Sequence, residues 1–151
     1  MSSIVLVILQ VVALGIVIWP WHAPQWNAWA WLPLGVAFAL KAWMIAHNPP
    51  TNFSVLPEVR NGARLVVTGP YRFVRHPLYL ALIVFAAGCA IGWNTAVHWI
   101  AAAALIIVLN VKARREERFL EERFADYRDY AGRVPRLVPM RWPQRSSPSS
   151  T

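Results

Sequence analysis

The chain has 151 residues, 57% of them hydrophobic and 15% charged, with a mean hydropathy of +0.38 and a formal charge of +8. So apolar a composition argues against a disordered chain and sits poorly with an ordinary soluble domain, in which roughly a quarter of residues are charged; the length allows one domain. As a bulk figure, 15 Lys and Arg against 7 acidic residues suggest nucleic acid or anionic lipid, but no charged residue occurs in 1–40 or 76–111, and that points to a membrane.

A spanning helix needs about 20 apolar residues at 1.5 Å each to cross about 30 Å of hydrocarbon, and four candidates follow. The first, 4–19, is rich in Val, Ile and Leu and lacks the basic start of a cleaved signal peptide, since the first cation is Lys41. The second, 28–46, carries Lys41 near its far end, where a long side chain snorkels to the interface. Residues 48–75 hold Pro49-Pro50, Pro57, Gly62 and Gly69-Pro70 and read as an irregular loop. The third and fourth spans, 78–91 and 95–111, form a hairpin through Gly92-Trp93-Asn94. The third is short, so it is expected to tilt or to begin at His76-Pro77. A polar helix then continues from Lys112 to about Tyr130, with Phe119, Leu120, Phe124, Tyr127 and Ala131 along one face, until Pro135 and Pro139 end it. The fold expected is an all-α integral membrane domain over 1–140, with four transmembrane helices, a cytoplasmic C-terminal helix and a cofactor-binding loop. Residues 141–151 are expected to be a disordered tail.

The charge map orients it. Residues 19–27 and 92–94 contain no Lys or Arg, whereas 48–75 and 112–151 hold 14 cations. The positive-inside rule therefore puts the latter, and both termini, in the cytoplasm. Trp19, Trp21, Trp26, Trp29, Trp31, Trp93 and Trp99 cluster at the uncharged turns, as an interfacial aromatic belt does.

Two groups carry candidate chemistry. One is Gly69-Pro70-Tyr71-Arg72-Phe73-Val74-Arg75-His76-Pro77-Leu78-Tyr79, which taken alone reads equally as a turn, interface anchors and a helix start. The other is Lys112-Ala113-Arg114-Arg115-Glu116-Glu117, which alone reads as a solvated helix with ordinary charge pairs. Carboxylates at a membrane exit can also accept both hydroxyls of a ribose and attract a sulfonium or ammonium charge. Because His76 opens the third span and Glu116 closes the fourth, the hairpin brings both groups to one depth, which favours the functional reading. The remaining histidines, His22, His47 and His98, have no metal-ligand spacing, Cys89 alone excludes a disulfide or cysteine cluster, and no nucleic-acid-binding fold is present, so neither a metal nor nucleic acid is expected.

Those residues, with Thr68, Phe124, Tyr127, Tyr130 and Val134-Pro135-Arg136-Leu137-Val138-Pro139, resemble the isoprenylcysteine carboxyl methyltransferase family, whose relatives include phospholipid N-methyltransferases. The resemblance runs over residues 65–139, and the first two spans add only hydropathy. It implies an integral membrane enzyme that uses S-adenosylmethionine without a Rossmann domain, in keeping with the lack of a glycine-rich strand-to-helix loop. Carried over, the cofactor is held by Leu65, Val66, Tyr71, His76, Pro77, Leu78, Tyr79 and Glu116, with Glu117 sharing the role. The family's acceptor-holding Arg, four residues before that Glu, is here Lys112, which keeps the charge and loses the bidentate fork; Arg114 or Arg115 is the alternative. A second departure is Phe124-Ala125-Asp126-Tyr127, where relatives often have Phe-Gly and one more residue before the Tyr. The acceptor implied is a lipid or lipid-tailed molecule. An anionic acceptor, held by Lys112, Arg114, Arg115, Arg72 or Arg75, needs only positioning and removal of water, whereas an amine must first lose a proton to His76 or a Glu. Carboxyl O-methylation is the leading expectation; phospholipid N-methylation and a non-catalytic membrane protein of the same fold are the alternatives.

Overall fold

The computed structural model describes residues 2–21, 26–47 and 65–139. His22, most of the predicted loop (48–64) and the predicted tail (141–151) lie outside the described residues. Among the described residues every regular element is helical: α1 (Ser3–Ile18), α2 (Trp31–His47), α3 (Pro77–Trp93), α4 (Ala96–Arg123) and α5 (Tyr127–Arg133), with single 3-10 turns at Ala28–Ala30 and Gly69–Arg72.

Local chemistry explains the boundaries. Ser2 caps α1, its side chain accepting from the Val5 N–H at 3.4 Å. Pro77 occupies the first position of α3 behind His76, where its missing N–H has no partner to lose. α3 therefore starts before Leu78 and runs 17 residues, longer than the apolar count predicts. It ends on Asn94, which takes the left-handed conformation (φ 46°) that reverses the chain into α4.

The C-terminal region departs from the expected single helix ending near Tyr130. α4 stops at Arg123, Phe124 is extended, and α5 begins after Asp126. With the bend in place Tyr127 and Tyr130 are buried, at 1% and 5% exposure. α5 ends at Val134, extended as the residue before a proline tends to be.

α1 packs mainly on α4 and α2 on α3, with the α3–α4 hairpin joining the two pairs. The core is largely small residues, Ala86, Ala90, Ala101, Ala102 and Ala113, interleaved with Leu105, Leu109 and Val17. Small side chains let apolar helices approach closely. A Cβ at Gly88 would lie 3.0 Å from the Leu34 side chain, and one at Gly92 2.6 Å from the Trp26 ring. At this end the Asn27 N–H donates to the Gly92 carbonyl, and buried His98 donates from Nε2 to the Trp19 carbonyl while Nδ1 accepts from Thr95. Trp19, Asn27, the α3–α4 turn and the indoles of Trp26, Trp31 and Trp93 thus meet at one end of the bundle.

Large apolar side chains face outward on α1, α2 and α4, including Ile8, Val11, Phe38, Ile100 and Ile107, whereas α3 has no exposed residue. That is the arrangement of a protein solvated by lipid. The segments Ala28–His47 and Ala96–Arg123 are long and apolar enough to cross a membrane; α1 and α3 are equally apolar but only 16 and 17 residues long.

Candidate active site

The opposite end of the bundle from the indoles holds the charged cluster. The α3–α4 hairpin brings His76 and Tyr79, at the start of α3, against Glu116 and Glu117, late in α4. His76 Nε2 donates to Glu117 Oε1 at 3.2 Å, and Nδ1 stands 3.5 Å from Glu116 Oε2. The Tyr79 hydroxyl donates to Glu116 Oε2 at 2.9 Å. The two rings stack with centroids 5.2 Å apart and planes 5° from parallel, one helical turn placing residues 76 and 79 on one face.

The neighbouring carboxylates have different surroundings. Glu117 is buried and saturated: Arg136 donates Nε and Nη2 to its Oε2 at 2.8 and 2.6 Å, and Arg75 lies 3.3 Å from Oε1. Burial alone would raise its pKa, but the hydrogen bonds from His76 and Arg136 and the charges of Arg75 and His76 outweigh that and lower it to about 2. The same bond raises the pKa of Arg136. Glu116 is 32% exposed, and both of its contacts fall on Oε2. Among the described residues its Oε1 takes no hydrogen bond.

The C-terminal segment closes the cluster from the side. The N–H groups of Arg75 and His76 donate to the carbonyls of Pro135 and Arg136 at 2.9 and 3.1 Å, and the Tyr130 hydroxyl donates to the Tyr71 carbonyl at 2.7 Å. Burial, together with the Glu117 charge, raises the pKa of Tyr127, whose hydroxyl is enclosed without a hydrogen-bond partner among the described residues; so is Nε of Arg75. Gly69, at φ 59°, turns the chain against His47, whose ring would lie 2.5 Å from a Cβ there.

The structure therefore brings together His76, Tyr79, Glu116 and Glu117, with Tyr71 tied in through Tyr130. Pro77 is buried in the first turn of α3 and Leu78 packs on the core. Leu65 and Val66 lie partly buried in the coil before Gly69. The expected acceptor cations do not converge on the carboxylates. Lys112 is buried, donates to Gln10 Oε1 at 2.9 Å and sits 5.7 Å from the centre of the Tyr79 ring. Arg114 is exposed and Arg115 lies over the Phe119 ring. Sequence reasoning gave Arg136 no role, although a lone Arg between prolines beside an otherwise apolar segment marks it. It also missed Gln10, the sole polar side chain inside the apolar α1 after Ser3.

A family model described as phospholipid methyltransferase matches residues 7–127. That interval takes in all of the cluster except Tyr130 and Arg136. The cobalt-zinc-cadmium resistance protein CzcN of Cupriavidus metallidurans is 35% identical over 81 residues, 53% of this chain and 38% of its own length. The nickel-cobalt-cadmium resistance protein NccN of Alcaligenes xylosoxydans xylosoxydans matches to the same extent. Methanethiol S-methyltransferase 1 of Bradyrhizobium diazoefficiens is 46% identical over 72 residues, 47% of this chain and 25% of its own length. The matched stretch spans well under half of each of these curated relatives.

Proposed function

Because the chain belongs to the phospholipid methyltransferase family, we propose that it is a multi-pass membrane methyltransferase that uses S-adenosylmethionine. It acts on a hydrophobic or lipid-linked acceptor, with carboxyl O-methylation of an isoprenylcysteine-like group as the leading reaction. In this reading all four long helices cross the bilayer, α1 and α3 being completed by their flanks or by local thinning. The charged end of the bundle and both termini face the cytoplasm.

The observation that carries the reading is the state of Glu116. One of its oxygens is fixed by Tyr79 beside His76, and the other takes no hydrogen bond among the described residues, on a side chain 32% exposed where α4 leaves its apolar stretch. S-adenosylmethionine supplies, when bound, a methyl group activated on a sulfonium. The residues fit it: a carboxylate oxygen accepts ribose hydroxyls and attracts positive charge. The Tyr127 hydroxyl and Arg75 Nε, which have no hydrogen-bond partner among the described residues, are further donors nearby. Glu116, His76, Tyr79, Pro77 and Leu78 would hold the cofactor, with Tyr71, Leu65 and Val66 along the approach, and Glu117 would fix His76 and Arg75. Arg75 is committed to Glu117, so Lys112 is the cation best enclosed to receive an acceptor. Because it is a cation, an anionic acceptor is favoured over the amine of a phospholipid. The 46% identity to a methanethiol S-methyltransferase supports a second reading, a thiolate acceptor, which makes the same demand on Lys112.

Binding of labelled S-adenosylmethionine to the full chain in detergent tests the reading. Wild type is expected to bind, and Glu116→Gln and His76→Ala to lose binding while keeping their helical circular dichroism. A folded wild type that binds nothing overturns the enzyme; binding that survives both substitutions overturns the site. With acceptors supplied, base-labile label marks a methyl ester and base-stable label an S-methyl or N-methyl product.

A further inference from the structure

Lys112 and Glu116 are four residues apart on α4, the spacing at which opposite charges ordinarily meet on a helix. The Glu116 carboxylate is near enough to act on the Lys112 charge. Yet the Lys112 ammonium is not paired with it. It donates across to α1, to Gln10 Oε1 at 2.9 Å, and lies over the ring of Tyr79, whose hydroxyl holds the other oxygen of Glu116. Gln10 is the eighth residue of the 16 in α1, amid side chains with nothing to offer a cation. An amide there has a desolvation cost that no packing need explains, and it is offset once the side chain accepts a charge-assisted hydrogen bond. Being neutral, Gln10 draws the ammonium away without adding a second negative charge beside Glu116.

We infer that Gln10 is a positioning residue for the donor site: it diverts Lys112 from Glu116 and so keeps the Glu116 carboxylate open for the cofactor. The inference rests on the proposed binding of S-adenosylmethionine at Glu116. It makes α1 part of the site rather than an anchor. Without Gln10 the Lys112 ammonium falls back on its i+4 carboxylate, and the cofactor must displace an ion pair in order to bind.

Equilibrium binding of labelled S-adenosylmethionine to the full chain in detergent, for wild type, Gln10→Met, Lys112→Met and the double variant, tests it. Gln10→Met keeps the bulk and removes the acceptor. It is expected to weaken binding at least about tenfold, the lower end of what one charged hydrogen bond is worth. The double variant, with no ammonium left to compete, is expected to bind more tightly than Gln10→Met alone. Gln10→Glu, which still holds the ammonium, is expected to rescue most of the loss, giving a readout should Gln10→Met not fold. Wild-type affinity in Gln10→Met, or equal weakness in Gln10→Met and the double variant, overturns the inference. Loss of binding in Lys112→Met alone also overturns it, since Lys112 would then itself hold the donor. If wild type binds and Glu116→Gln does not, these failures touch Gln10 only; if wild type fails to bind, the proposed function falls first and the inference with it.

Discussion

Glu117 shows how one buried carboxylate can organise a polar cluster. It collects Arg75, His76 and Arg136 from two separate chain segments, so removing its charge leaves the largely enclosed Arg75 and the part-exposed Arg136 without their carboxylate. Glu117→Gln is expected to cost on the order of 3 kcal/mol, measured by thermal unfolding in detergent. Its pH dependence follows from the depressed pKa. The ionised form is favoured in the folded state, so the stabilisation is fully present above the ordinary value of 4.5 and is lost as pH falls toward about 2. Wild type should therefore lose stability across that window, and Glu117→Gln should show a flatter acid limb. That His76 meets the Glu pair was legible in the sequence, because a hairpin carries the start of one span to the end of the next. Which Glu is saturated and which is open was not. Adjacent helical residues point about 100° apart, and the choice depends on where Arg136 returns, over a bend that local sequence does not announce.

Among the elements, the 3-10 turn before α3 depends most on a single residue. Gly69 is left-handed and pressed against His47, so Gly69→Ala combines a backbone penalty of about 1–2 kcal/mol with displacement of that ring. It is expected to lower thermal stability and, by shifting Tyr71 and the tie from Tyr130, to weaken cofactor binding as well. Gly88 tests a different contact. Gly88→Leu must push α2 away from α3, because both the Leu34 side chain and its backbone stand within 3.3 Å of a Cβ there. Strong destabilisation is expected there, and donor affinity measured in the folded remainder should change little. The helices themselves were readable from hydropathy and from Pro77, Asn94 and Pro135. The break between α4 and α5 was not, because Phe119, Leu120, Phe124 and Tyr127 keep a helical period on both sides of it. Only the packing of Tyr127 and Tyr130 against the carboxylate cluster distinguishes a bent path from a straight one.

At the scale of the molecule, the bundle is polarised, with indoles and no formal charge at one end and the ionised cluster at the other. The proposed orientation predicts that Arg123→Cys reacts with a membrane-impermeant thiol reagent only after cells are permeabilised, whereas Trp29→Cys reacts from outside. Cys89, buried in the core, should contribute no background. The reverse pattern would invert the topology. α4 ties the two ends together as one unbroken rod. Glu116 is the twenty-first residue of that helix, which puts it about 30 Å along the axis from Ala96, close to the thickness of the hydrocarbon layer. The helix thus works as a ruler, setting the height of the acidic group by a count of residues rather than by any contact near it. Deleting one residue from 103–107 would lower Glu116 by about 1.5 Å and swing it by about 100°, away from Tyr79, with every functional side chain still present. The thickness of the lipid layer is in this sense a geometric parameter of the site, and bilayers of differing thickness should tune its affinity where changes in headgroup do not.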